Sequence, residues 1–279
     1  MKIGIVGLGL IGGSIGLKLQ TLDHTIYGVT NNDLNKKKAI KRNLANFVSC
    51  DLRILKECSL IILALPIRHL INPSPELITA IPKEAIVTDV GSIKEPIIKT
   101  WENIHQLFIG SHPMAGTEEK GVDSGFEDLF KNTKWIITPT STSNSNAINK
   151  LSKLITSMEC EVYKVSPKEH DEAVALISHL PIFIASSLIG TANREKNKSL
   201  LELTQKLAAS GFADTTRVGG GNPALGLDLA INNQANILKA IKEFKTNFNE
   251  LEALIKDENW ELLSIKLSKL VELRSNFIN

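Results

Sequence analysis

The stretch "KIGIVGLGLIGGS", residues 2–14, decides how this chain reads. Residues 2–6 form a short apolar strand, and a helix-like run follows from about Ile11 to Leu22. Between them stand Gly7, Gly9 and Gly12 in the spacing G-x-G-x-x-G. Alone that spacing says little; after a strand and at the opening of a helix it marks a dinucleotide site. Gly7 permits a tight turn, Gly9 lets backbone approach a pyrophosphate, and Gly12 lets the helix pack close on the strand. Leu10 and Ile11 open the helix, whose first N–H groups face the anion. A glycine-rich turn with no ligand is the bland alternative, and the strand–turn–helix context weighs against it.

The next strand is "TIYGVT" (25–30). An NAD enzyme places Asp or Glu at the end of this strand to hold the ribose 2′-OH. Here the chain offers Thr30, Asn31 and Asn32, with no carboxylate before Asp33. These side chains are donors suited to a 2′-phosphate, and Lys36 to Lys38 follow closely. NADP is therefore the expected cofactor, with NAD as the alternative. The lysine run by itself also reads as a solvated helix face.

Outward from the glycines, "SLIILALP" (59–66) is a continuous apolar run suited to a strand buried on both faces. Pro66 ends it and is expected to shape the wall near the adenine ribose. "EAIVTDVGS" (84–92), "QLFIGSHP" (106–113), "KWIITPT" (134–140) and "CEVYKV" (160–165) continue the series. Helical segments fall between them, such as "AINKLSKLITSM" (147–158) with one apolar face. Strands alternating with helices specify an α/β fold with a doubly wound parallel sheet. The pattern changes at "SPKEHDEAV", where Ser166 is a cap, Pro167 takes the first helical position and Glu169 completes a capping box. No strand pattern follows. Two domains are expected: 1–165, dinucleotide-binding, and 166–279, all-helical. A helix-period run from about Pro223 to Ile255 would be roughly 50 Å long at 1.5 Å per residue. Its apolar face calls for a second subunit, a homodimer through the helical domain; a kinked helix buried within one chain is the alternative.

Composition narrows the class. The 279 residues are 43% hydrophobic, enough for a sizeable core. With 32 basic and 30 acidic side chains the net charge is +2, so the footprint of a nucleic-acid binder is missing. Three cysteines form neither a metal spacing nor an even disulfide framework, which fits a reducing cytoplasm. No apolar run approaches the ~18 residues of a membrane span, and the N-terminus opens directly on a strand rather than a signal peptide. No metal site is expected.

In open α/β sheets ligands sit outside the carboxyl ends of the strands. "DVGS" presents Ser92 there and "GSHP" presents His112, with Pro113 expected to stop the regular strand. If those strands are neighbours, the two side chains converge. Imidazole, with an ordinary pKa of about 6.5, accepts a proton at neutral pH, and a serine hydroxyl within reach can orient it. "SIKE" (92–95) also resembles a capping box, so Ser92 reads equally as a helix cap. In the helical part, "ISHLP" puts His179 two residues before Pro181, whose kink frees backbone groups and suits a pocket wall. "DTTRVGGGNP" (214–223) sets Arg217 in a loop whose glycines let backbone crowd a ligand; its planar fork suits a carboxylate. His24, His69 and His105 sit in surface-like contexts. His170 and Asp171, in the first turn of a capped helix, read as solvated.

Together "VGLGLIGGS", "TDVGSIK", "GSHPMAGTEEKG", "ISHLPIFIA" and "GFADTTRVGGGNP", in this order, resemble the prephenate/arogenate dehydrogenase family of tyrosine biosynthesis. The chain looks most like the short, single-function arogenate dehydrogenases of cyanobacterial type, over essentially its whole length. The resemblance implies an N-terminal Rossmann domain with a helical dimerisation domain, and oxidative decarboxylation of a small cyclohexadienyl substrate. It implies that His112 is the catalytic base, Ser92 its partner, and His179 and Arg217 substrate contacts. Arogenate is the expected substrate on this ground, with prephenate the alternative. One departure concerns the cofactor: NADP users of the family often carry an arginine just after the second strand, where this chain has Asn31 or Asn32. A β-hydroxyacid dehydrogenase has the same two-part architecture and would use a lysine such as Lys239; the serine–histidine pair and "HPMAG" argue against it. A rival of a different class, a redox-sensing binding protein, would need the glycine loop to hold NADP but not His112 or Arg217.

Overall fold

Apolar runs bounded by Gly, Pro and Ser become the strands. In the computed structural model, which describes residues 1–117 and 119–278, they are β1 (Lys2–Val6), β2 (Thr25–Val29), β3 (Phe47–Ser49), β4 (Leu60–Leu63), β5 (Ile86–Asp89), β6 (Phe108–Pro113), β7 (Lys134–Thr138) and β8 (Glu161–Lys164). They form one sheet in the order β3-β2-β1-β4-β5-β6-β7-β8. The order reverses beside β1, which makes the crevice between β1 and β4 the natural ligand site. β1 to β6 are mutually parallel, β7 runs antiparallel to β6, and β8 is parallel to β7. The expected parallel sheet thus carries a reversed two-stranded edge. The cause is the connection from β6 to β7, whose described residues hold a turn of 3₁₀ helix (Glu127–Phe130) and no crossover helix, so the chain folds back beside β6.

Within the sheet region lie α1 (Leu10–Thr21), α2 (Asp33–Lys41), α3 (Ile67–Ile71), α4 (Pro75–Ala80), α5 (Glu95–Trp101) and α6 (Ser145–Ser157). β4 is buried along its whole length, as its unbroken apolar run requires. Ile15 and Leu19 of α1 and Leu151, Leu154 and Ile155 of α6 close the core over Ile3, Ile5, Ile62 and Ile137. Each such side chain contributes about 1.5–3 kcal/mol by leaving water.

Beyond Lys164 no strand occurs among the described residues. α7 (Pro167–Val174) begins with the expected capping box: Glu169 N–H donates to Ser166 Oγ at 3.2 Å, and Ser166 N–H donates to Glu169 Oε2 at 2.9 Å. A π-turn, Ala175–His179, leads into α8 (Leu180–Ala192). Pro181 lacks the N–H that would bond the preceding turn, and the wider turn accommodates its ring. Against the expectation of no such run, Pro167–Ala192 is by length and composition long and apolar enough to cross a bilayer. It nevertheless carries three buried polar side chains, His170, Asp171 and His179. α9 (Lys198–Leu207), α10 (Ser210–Thr216), a 3₁₀ turn (Arg217–Gly220) and α11 (Pro223–Asn232) follow.

The single helix expected from Pro223 to Ile255 is broken. Asn233 leaves helical geometry at φ −128°, ψ 31°, ending α11, and α12 (Gln234–Lys256) begins after it. The reason is polar: the Asn233 carboxamide donates to the buried Asp171 carbonyl at 2.9 Å. α12 spans about 35 Å, not 50.

The chain divides into two compact units, Met1–Asn233 and Gln234–Asn279. The second is a helical hairpin of α12 and α13 (Trp260–Arg274). Its turn passes through Glu258 at φ 51°, and Asn259 caps α13 by accepting from Leu262 N at 3.2 Å. Lys266 pairs with Glu250 across the hairpin. Phe248, Trp260, Ile265 and Val271 remain more than half exposed.

Candidate active site

The glycine turn is built by close approaches. Gly7 has φ +97°, and a Cβ there would lie 2.3 Å from Ala64 O, at the end of the neighbouring β4. A Cβ on Gly12 would lie 1.9 Å from Gly7 O, so only glycine lets α1 start this close to the turn. Gly9 differs: a Cβ there would meet nothing within 4 Å. It is the N-cap of α1 and offers no side-chain cap, leaving an open cradle before the first N–H groups of Leu10 and Ile11. That arrangement fits a pyrophosphate. Pro66 stands exposed at the other lip of the crevice, as N-cap of α3.

After β2 the geometry is more committed than the sequence suggests. Thr30 is buried, and its hydroxyl donates to Asn32 O at 3.4 Å. Asn32 caps α2, accepting from Asn35 N at 2.8 Å. Asn31 Oδ1 accepts from the amides of Asn32 and Asn35 at 3.0 and 2.8 Å. Lys38 is paired with Asp123, and Arg42 donates to Val122 O and Gly125 O, both at 2.7 Å.

His112 is held by what lies behind it. Alternation along β6 sends Ser111 inward and His112 to the opposite face. Ser111 N–H donates to Asp89 Oδ1 (3.1 Å) and its hydroxyl to Asp89 O (2.7 Å). Trp135 Nε1 donates to Ser111 Oγ (3.0 Å), and Lys94 Nζ donates to Ser111 O (2.6 Å). Lys94 and Asp89 form an ion pair with both side chains fully buried. Burial pushes Lys94 below the usual lysine range while Asp89 opposes the shift. β6 ends at Pro113, as expected, and β7 pairs alongside its last residues, His112 opposite Ile136 and Pro113 opposite Trp135, with Met114 N–H donating to Lys134 O at 2.8 Å just beyond.

The ring of His112 meets a partner that sequence reasoning passed over. His112 Nδ1 lies 2.9 Å from His170 Nε2, the rings edge-on at 73°. His170 Nδ1 lies 2.7 Å from Asp171 Oδ1. Both residues are 1% exposed, so the solvated reading of His170 and Asp171 is corrected. Asp171 also takes the place expected for Ser92 as a helix cap: its two oxygens accept Lys94 N (2.7 Å) and Glu95 N (2.9 Å) at the start of α5. The signal was present. His170 and Asp171 share a helical face with Val174 and Ala175, both buried. Ser92, on the loop after β5, makes no hydrogen bond to His112 among the described residues; its backbone lies beside His179 instead.

Burial holds His112 well below the ordinary histidine value, with His170, Lys94 and His179 adding to the effect. Burial lowers His170 as well, against its bond to Asp171. His179, fully buried, is pushed down to about 4 by burial. All three rings are therefore neutral at pH 7. His179 Nδ1 faces Asn233 Nδ2 at 3.2 Å, and its buried Nε2 makes no hydrogen bond of normal geometry, the Ser92 backbone being the polar group beside the ring. Such an orphan is rare in a settled interior and suits a ligand. Arg217 is exposed, at the start of the 3₁₀ turn. The glycine that follows crowds protein, not ligand: a Cβ on Gly219 would lie 2.7 Å from Ser186 N on α8.

A nucleotide-ready turn and a neutral buried histidine on one sheet edge frame the comparison with known proteins. The family model "Prephenate dehydrogenase, nucleotide-binding domain" matches residues 15–164, and "Prephenate dehydrogenase, dimerization domain" matches residues 166–271. A prephenate dehydrogenase of Bacillus subtilis is 31% identical over 93% of this chain and 71% of its own. The crystal structure of Synechocystis arogenate dehydrogenase aligns with TM-score 0.81 and 37% identity over the whole of both chains. That of prephenate dehydrogenase from A. aeolicus, in complex with hydroxyphenyl propionate and NAD+, aligns with TM-score 0.91 and 28% identity over 99% of this chain and 98% of that one. The chain belongs to the prephenate dehydrogenase family of oxidoreductases.

Proposed function

We propose that the protein oxidatively decarboxylates arogenate to tyrosine with NADP, with His112 as the base. The observation that carries this reading is a neutral imidazole at the carboxyl end of β6, with Nδ1 engaged by His170 and Nε2 without a partner among the described residues. His112 as a whole is 8% exposed, so the residue is not sealed from solvent. The substrate ring carries a C4 hydroxyl and, para to it, a quaternary carbon bearing a carboxylate. His112 Nε2 accepts the hydroxyl proton as the C4–H pair departs. NADP, when bound, supplies the acceptor for that hydride. The bond to the carboxylate then breaks, CO2 leaves, its electron pair enters the ring, and the phenol oxygen takes the proton back from His112. Aromatisation drives the step, so the protein supplies position and one base.

Gly7, Gly9, Gly12, Leu10 and Ile11 would cradle the pyrophosphate, with Pro66 opposite. Thr30, Asn31 and Asn32 would meet the adenosine ribose, and the lack of a carboxylate at the end of β2 favours the phosphorylated dinucleotide. Arg217 would hold a substrate carboxylate, and the orphaned Nε2–H of His179 would donate to substrate. Ser92, on the strand loop next to His112, offers its hydroxyl to the same C4 oxygen. The 37% identity to the Synechocystis arogenate dehydrogenase supports arogenate. The Bacillus relative supports prephenate as the second reading. The exposed apolar side chains of α12 and α13 support a homodimer through the helical part, and three free thiols suit the cytoplasm.

The test is absorbance of the reduced nicotinamide with arogenate or prephenate, each with NADP or NAD. Arogenate with NADP should give the highest kcat/KM. His112→Asn should lower kcat by ~10²- to 10⁴-fold; near-normal turnover would end the assignment of the base.

A further inference from the structure

We propose that His170 and Asp171 form a positioning dyad that fixes the tautomer of His112, leaving Nε2 bare. The proposal rests on the reading of His112 as base and names what makes it one. A carboxylate accepts and does not donate. Asp171 Oδ1 already receives Lys94 N–H, and Oδ2 receives Glu95 N–H, which anchors the carboxylate at the N-terminus of α5. The proton between Asp171 and His170 therefore sits on His170 Nδ1. A neutral ring has one N–H, so His170 Nε2 presents a lone pair. The 2.9 Å contact is then filled by the proton of His112 Nδ1, and His112 Nε2 carries the lone pair.

Among the described residues nothing else facing His112 supplies this order. Lys94 is spent on Asp89 and Ser111 O. His179 engages Asn233. Ser92 makes no bond to the ring among the described residues. Without the dyad, either nitrogen of His112 can hold the proton, and the tautomer with Nε2–H cannot take a hydroxyl proton. The dyad also faces the charge that appears when His112 is protonated: His112 Nδ1–H then donates more strongly to His170, whose other nitrogen is tied to an anion. No proton leaves His112 for His170. This is why a His-Asp pair at the start of a helix is buried against a sheet edge more than fifty residues away in sequence.

The experiment has two arms. In the first, ¹⁵N-labelled wild-type protein without cofactor is examined by imidazole nitrogen shifts at neutral pH. His112 should show a protonated Nδ1 and a bare Nε2, and His170 the same pattern. A His112 ring with Nε2 protonated would overturn the proposal whether or not the substrate is arogenate. In the second arm, His170→Leu should lower kcat by about 10- to 10²-fold, less than loss of the base itself, with KM for both substrates changed less than about twofold. His170→Gln, whose amide oxygen can accept from Nδ1–H, should recover most of that loss. Equal kcat in wild type and His170→Leu would overturn the dyad while leaving His112 as base. Failure of every cyclohexadienyl substrate with an intact shift pattern would instead overturn the functional reading alone.

Discussion

Acidification should drain stability first through the buried histidines, starting at a higher pH than the carboxylates. His179 is completely buried, and its value is held at about 4 against an ordinary 6.5. Between those values the unfolded chain binds a proton that the folded chain refuses. The contribution is therefore whole above 6.5, falls as the pH falls, and is gone near 4. The gap of about 2.5 pH units (6.5 minus 4) at 1.36 kcal/mol per unit amounts to about 3 kcal/mol, a large part of a typical 5–15. His112 and His170 are displaced in the same direction by the same cause and add to the slope. The paired carboxylates, such as Asp123 and Glu159, are displaced downward from 3.8 and 4.5, so their contribution is lost from the bottom of that window downward. Urea unfolding at several pH values between about 7.5 and 4.5 measures this, in wild type and in His179→Gln. Gln keeps an oxygen for Asn233 but cannot titrate. Wild-type stability should fall with decreasing pH, and the variant's slope should be smaller by about 1.4 kcal/mol per pH unit near the middle of the window. Parallel slopes in the two proteins would refute the burial argument for His179, whatever their absolute stabilities.

Other outcomes follow from single contacts. Lys94→Met strands the buried Asp89 carboxylate with only Gly91 N–H and Ser111 N–H, and should cost about 3–5 kcal/mol by thermal or urea unfolding. The double variant with Asp89→Asn should recover a good part, since breaking a buried pair is worse than removing it. Gly9→Ala should leave Tm unchanged, because its Cβ enters open space, yet weaken dinucleotide binding, measured with NADP and with NAD, by about tenfold or more through the lost close approach. Gly12→Ala, with a Cβ 1.9 Å from Gly7 O, should lower both Tm and affinity; unchanged Tm would contradict the packing. Arg217→Ala should raise KM with kcat nearly kept, and an unchanged KM would count against a carboxylate clamp.

What the sequence discloses here depends on the range of the forces involved. The glycine turn, the apolar strand "SLIILALP" and the Ser166–Glu169 capping box are local, decided by φ, by side-chain burial and by bonds three residues apart, and all are legible. β3 is three residues at a sheet edge and carries too little pattern to see. The reversal of β7 depends on the missing crossover helix between β6 and β7, a long-range fact with no periodic signature. The split at Asn233 likewise needs Asp171, far away in sequence, to explain why an asparagine should interrupt an apolar helix. His112 was legible because a histidine at a strand end beside Gly and Pro is locally odd. His170 and Asp171 were not, because polar residues in the first turn of a capped helix look ordinary until their face is known to be buried.

The same hydrogen bonds that make the interior tolerable also set the posture of His112, the proposed base. Asp171 is a buried anion, and it is acceptable only because the N-terminus of α5 and His170 answer it. Asp89 is a second, answered by Lys94, Gly91 and Ser111. Both anions bind residues next to the strand end that carries His112, so satisfying them fixes Ser111 behind His112 and His170 beside it. Substitutions at Asp89, Lys94 or Asp171 must therefore disturb folding and turnover together. His170 is different: it holds no charge and no helix end, it is only one of three donors to Asp171, and no other side chain meets His112 Nδ1 among the described residues. A side chain there of similar size without an acceptor separates the two effects. It should leave the urea midpoint closer to wild type than Asp171→Asn does, while losing more of kcat than its loss of stability would suggest.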